Sequence, residues 1–139
     1  MAASDMRHEL IEKISLPNGL VLELWDQSRV MAGDRWLVRL QAKVEVPLSP
    51  EYFSSLEHSD EAYRDVLAAY GNPLVFTQEK ERHFVDAGET DPTLAGLCQR
   101  LKDTLLSYLG NPKFAALFAL KKYGDLRDRQ KLSANALKR

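Results

Sequence analysis

The chain has 139 residues, 45% apolar and 28% charged, a balance that excludes a disordered polymer and supplies the core of one domain. Nineteen Lys and Arg against 20 Asp and Glu leave a net charge of −1, so no global field draws the protein to nucleic acid or to an anionic membrane. The single cysteine, Cys98, excludes an intramolecular disulfide and a cysteine-cluster zinc site and points to a reducing compartment.

The first residues lack the apolar core of a secretory leader. The longest apolar run, residues 114–120, is far too short to span a bilayer. A cytoplasmic protein without a membrane partner is expected. Charge is unevenly placed. From residue 121 onward seven Lys and Arg stand against two Asp, a net of +5 that leaves −6 for residues 1–120.

Residues 10–16 and 20–30 read as two strands joined at Pro17-Asn18-Gly19. A two-residue Asn-Gly turn would set their best apolar positions on opposite faces. A three-residue loop, with a type I turn followed by Gly19 in the left-handed region, sets Leu16 against Leu20, Ile14 against Leu22, Lys13 against Glu23 and Ile11 against Trp25. Residues 36–46 form a third strand with clean alternation. Trp36, Val38, Leu40, Ala42, Val44 and Val46 share one face; Leu37, Arg39, Gln41, Lys43 and Glu45 share the other. A turn around Gly33 pairs Val30 with Trp36, Leu24 with Ala42, Leu22 with Val44 and Glu23 with Lys43. In this register Asp26 and Ser28 fall on the apolar face. They are candidate ligand-binding residues in a polar notch, the simpler alternative being a sheet that extends beyond its covering helices.

Pro47 stops the third strand. Ser49-Pro50-Glu51 has helix-start chemistry, and a helix from Ser59 or Asp60 to Tyr70 buries Ala62, Val66, Leu67 and Tyr70 before Gly71 ends it. Residues 74–85 are expected as a fourth strand, with a helix as the alternative. Its neighbour in the sheet, the first or the third strand, stays open. Thr77, Glu79, Glu81 and His83 take one face, and Gln78, Lys80 and Arg82 the other. Charge on both faces excludes a buried central strand. Glu79, Glu81 and His83, spaced at roughly 7 Å steps, could hold a divalent metal or share acid–base work. The plain alternative is a charged edge that resists aggregation.

Asp91-Pro92 opens a helix to about residue 109, with Leu94, Leu97, Cys98, Leu101, Leu105, Tyr108 and Leu109 as its stripe. Asn111-Pro112 opens another, expected to end at Gly124. Residues 114–120 are apolar all round, so they are either buried or form a homodimer or protein-partner surface through Phe114, Leu117, Phe118 and Leu120. Residues 125–139 read as a polar, partly basic tail, too mixed in charge to argue for nucleic acid.

The expected fold is α+β in the order βββαβαα, one domain over residues 1–124, its antiparallel meander packed on one face by the C-terminal helices. No phosphate-binding glycine loop, nucleophile elbow or zinc spacing occurs, and no motif names a cofactor or a catalytic residue. The pattern therefore favours a small non-catalytic binding or protein-interaction module. The alternative is a metal-assisted or acid–base enzyme that uses Glu79, Glu81 and His83.

Overall fold

The computed structural model describes residues 6–137. Its elements run β1 (Glu9–Ser15), β2 (Val21–Asp26), β3 (Arg29–Ala32), β4 (Arg35–Val46), α1 (Ser59–Tyr70), β5 (Leu74–Asp86), α2 (Thr90–Leu109) and α3 (Phe114–Leu137), with short 3-10 turns at Pro50–Phe53 and Ala87–Glu89. The class is α+β, as the sequence predicts. Contacts divide the chain into two compact units. One holds the chain up to Val44 together with Val75–Asn111, and the other holds Glu45–Leu74 and the chain from Pro112 onward.

The five-stranded antiparallel sheet dominates the first unit. β1 pairs with β2, and β2 pairs with β4. β3 continues along β4 in the register that β2 began, since Asp26 opposes Leu40 and Arg29 opposes Leu37. The strand predicted over residues 20–30 is thus one strand with a flaw at Gln27 and Ser28. There the Gln27 N–H still donates to the Arg39 carbonyl at 2.9 Å, while the Arg39 N–H donates to the Ser28 hydroxyl at 3.1 Å. A side-chain oxygen has displaced a ladder acceptor. β5 pairs with β4, which answers the question of its neighbour.

The hairpin registers follow the alternation. Ile14 opposes Leu22, Lys13 opposes Glu23, Leu22 opposes Val44, Leu24 opposes Ala42 and Val30 opposes Trp36. The first turn is the three-residue loop: the Leu16 N–H donates to the Leu20 carbonyl at 2.8 Å, and Gly19 sits at φ 88°. One expected pair fails. Leu10, not Ile11, opposes Trp25, and Ile11 is the extra residue of a bulge between Leu10 and Glu12. Glu12 keeps the expected register opposite Leu24, and its carboxylate meets Lys102 Nζ of α2 at 2.7 Å.

Leu22, Leu24, Val38, Leu40, Ala42 and Val44 are fully buried. α2 packs on β2 and turns Leu97, Cys98, Leu101 and Leu109 inward. Burial pushes the Cys98 thiol up from its ordinary range, with Lys102 opposing weakly, so this thiol is a neutral packing group. The first loop also closes the end of α2. Asn18 Nδ2 donates to the Leu109 and Asn111 carbonyls at 2.8 and 3.0 Å, satisfying acceptors that a helix end leaves open. Pro17 lies so near that a Cβ on Gly110 would come within 2.8 Å of its Cδ.

The second unit is built on the Pro50–Phe53 turn, α1 and α3, which contact one another. Val46, Leu48, Phe53, Ala62, Val66, Leu74, Phe114, Phe118 and Ala119 are buried in it. Phe53 is fully enclosed, with the Tyr63 and Tyr123 rings edge-on at 6.2 and 6.4 Å. α3 does not stop at Gly124 as the sequence predicts, and residues 125–137 are helical. An interior glycine costs a helix only about 1 kcal/mol. Side chains beyond it offset that cost: Arg127 donates to the Tyr123 hydroxyl at 2.9 Å and Arg129 to the Tyr70 hydroxyl at 2.6 Å. None of the helices is long and apolar enough to cross a membrane among the described residues.

Candidate functional site

The polar chemistry of the first unit concentrates on the ribbon of β4 and β5. Arg39 and Gln41 stand on the charged face of β4. Glu79, Glu81 and His83 share one face of β5 and meet them across the strands. Arg39 Nη2 lies 2.8 Å from Glu79 Oε2 and 3.0 Å from Glu81 Oε1. The far oxygen of Glu81 lies 3.3 Å from His83 Nε2. Gln41 Nε2 reaches the second oxygen of Glu79 at 3.5 Å, and Gln27 Nε2 donates to the Gln41 side-chain carbonyl at 3.1 Å. The result is a continuous chain from Gln27, between β2 and β3, across β4 to β5, with one guanidinium holding two carboxylates.

This arrangement decides how the acids can act. The oxygens that would converge on a metal converge instead on Arg39, and a divalent ion would first have to displace a guanidinium. Among the described residues no group of three His, Cys, Asp or Glu side chains is placed to hold a metal ion. Arg39 is the residue that sequence reasoning missed. Its place on the charged face of β4 was visible, but its partners follow only once β5 is known to pair with β4.

Arg39 and its two carboxylates each stand about a third exposed, which screens their attraction. Replacing Arg39 by Met is therefore expected to cost about 1–2 kcal/mol, mostly from two carboxylates left facing each other. Adding Glu79→Gln and Glu81→Gln to Arg39→Met should restore part of that loss in urea titrations. Strictly additive losses would show that the three groups are not coupled.

The opposite face of β5 is unlike this one. Arg82 donates only to the backbone carbonyl of Glu81, at 3.2 Å, and among the described residues neither Lys80 nor Arg82 has a carboxylate partner. Next along the strand Phe84 takes a positive φ of 57° and leaves its ring 66% exposed. A bulky L residue rarely adopts that conformation. The end of the ribbon is fixed beyond it, where Ala87 N–H donates to the Asp34 carbonyl at 3.0 Å and Arg35 faces Asp86 at 3.6 Å.

The other expected pair, Asp26 and Ser28, is buried on the apolar face of the sheet. Asp26 Oδ1 accepts from the Ser28 N–H at 3.0 Å, a local Asx turn. Its second oxygen lies 3.5 Å from Arg7 Nη1. The Arg7 guanidinium also reaches Thr90 Oγ1 at 3.4 Å and Asp91 Oδ1 at 3.6 Å, and it lies over the Trp36 ring at 4.6 Å. The notch is thus filled from within by Arg7, and the hydrogen-bonding capacity of Asp26 is already engaged.

The expected partner surface on α3 is mostly interior. Phe114 and Phe118 are buried, their rings stacked at 5.7 Å. Leu120 is half-buried, and Leu117, at 56% exposure, is the one residue of the four that faces outward. The ribbon of β4 and β5 therefore carries the most unusual surface chemistry of the described residues. Comparison with known proteins returns nothing: no family model, no curated protein and no solved structure matches this chain.

Proposed function

We propose that this protein is a non-catalytic protein-interaction module that works through the β4–β5 ribbon. One observation carries the reading. The two carboxylates that could have done acid–base or metal chemistry are held by Arg39 at 2.8 and 3.0 Å, while on the same strand stand an exposed phenyl and two cations that have no carboxylate partner among the described residues. Paired charge on one face builds a rigid platform, and exposed aromatic and cationic groups are what interfaces use as anchors. A photo-crosslinking amino acid at position 82 is expected to trap one discrete protein partner in cells, and the same group at position 132 on α3 is not. Equal yields at the two positions, or none at position 82, would remove the reading.

A second reading has one contact in its favour. Glu81 lies 3.3 Å from His83 Nε2, and a carboxylate that orients an imidazole is the pairing used in general acid–base catalysis. On that reading His83 moves protons for a substrate on the ribbon, and His83→Gln abolishes turnover without altering partner capture.

A further inference from the structure

The edge of β5 identifies the class of partner, an inference that rests on the interaction-module reading. β5 is 13 residues long and, among the described residues, pairs with β4 and with no other strand. The other edge of the sheet is short and interrupted: β1 has seven residues and a bulge at Ile11. A long edge leaves a row of backbone N–H and C=O groups open to another strand.

Edge lysines usually guard against such pairing. Lys80 and Arg82 would serve that purpose alone if the next residue of their row, two further along the strand, were polar. It is Phe84 instead, at φ 57° and 66% exposed. A guard has no need of a solvent-facing ring held in a conformation that L residues avoid. Strained backbone at an exposed residue recurs at ligand clamps and contact sites.

Charge then selects the occupant. Glu79 and Glu81 share the single Arg39 guanidinium, and His83 stands beside Glu81. Two carboxylates on one fixed cation leave that face of β5 net negative, so it does not welcome an acidic side chain. The alternate face offers Lys80 and Arg82 at a spacing of two residues, roughly 7 Å in a strand. An added strand that meets both faces would therefore alternate acidic and uncharged side chains.

We propose that the open edge of β5 receives an extended acidic segment of a partner protein as an added strand. Alternate Asp or Glu side chains pair with Lys80 and Arg82, and an apolar residue at one end packs on Phe84. Backbone hydrogen bonds along the edge supply the attraction, and the alternating charges set register and selectivity.

The test uses the full chain and a fluorescein-labelled decapeptide of alternating Glu and Thr that ends in Leu, read by anisotropy. Saturable binding is expected, and a Lys-for-Glu version of the peptide should not bind. Lys80→Glu with Arg82→Glu should weaken it about tenfold or more. Phe84→Gly should weaken it about tenfold while the circular dichroism spectrum is retained, because glycine accepts a positive φ without strain. Phe84→Asn, also tolerant of that φ, gives a second variant should the first misfold. N-methylation of alternate peptide amides keeps every charge but removes edge hydrogen bonds, and it should abolish binding.

Binding that survives N-methylation would be simple charge attraction and would overturn the proposal. So would tighter binding of an oligothymidine than of the peptide, or self-association of the protein lost on Arg82→Glu, which would make a second copy the occupant. If the peptide fails while crosslinking at position 82 persists, the acidic strand falls and the module reading stands. If both fail, both fall.

Discussion

Phe53→Ala should lower stability by about 3–5 kcal/mol, the largest loss expected from any single truncation in the second unit. The ring is fully enclosed. Its removal takes away the transfer free energy of a large apolar group and leaves a cavity that rigid neighbours fill poorly. Two edge-on aromatic contacts, to Tyr63 and Tyr123, disappear with it, each contributing about 0.5–1.5 kcal/mol beyond burial. Urea unfolding should show a lower midpoint at unchanged slope. Phe53→Leu should recover a large part of the loss, because it refills much of the volume. A cost below about 1.5 kcal/mol for the Ala variant would mean that the three tyrosine-rimmed elements collapse onto the gap, contrary to close packing.

Arg7→Met is expected to cost about 2–3 kcal/mol, below the full figure for breaking a buried ion pair because Arg7 is itself partly exposed and its contacts are long. The methionine stem still covers Trp36, so the loss comes from charge. Asp26, with only 6% of its side chain exposed, would be left buried without a cation. Asp26→Asn on top of Arg7→Met should restore most of the stability. The amide oxygen can still accept from the Ser28 N–H, and the unpaired charge is gone. Chemical denaturation of the two single variants and the double variant checks this. If Asp26→Asn worsens the loss, the carboxylate is not a burden in the absence of Arg7, and the account of the notch fails.

The parts of this fold that were legible are those governed by period two. Leu22 opposite Val44 and Lys13 opposite Glu23 followed from alternation alone, because any slip would turn a whole apolar row toward water. The bulge at Ile11 was not legible. Only Glu9 and Leu10 slip, where Leu10 and Ile11 are both exposed and no buried row holds the register. The same holds for the site. Glu79, Glu81 and His83 do share a face, as spacing required. Their meaning changed when β5 paired with β4 and brought Arg39 between the acids, a juxtaposition of strands separated by residues 47–73 that no local pattern announces. Asp26 and Ser28 were recognisable as polar residues in need of partners, while Arg7, 19 residues upstream of Asp26, was not nameable as the partner. α3 outran its predicted end because one exposed glycine is a weak stop where the hydroxyls of Tyr123 on α3 and Tyr70 on α1 accept from arginines beyond it.

The contact of Asn18 with the end of α2 changes how the first turn should be regarded by anyone engineering this chain. By appearance the Pro-Asn-Gly corner is an ideal place for an epitope tag, a circular-permutation break or a reporter insertion. Yet its asparagine is the lid on two carbonyls 91 and 93 residues away, and its proline is wedged against Gly110. Cargo placed there would fray the helix that roofs the sheet, so the corner behaves as a rivet and not as a spare loop.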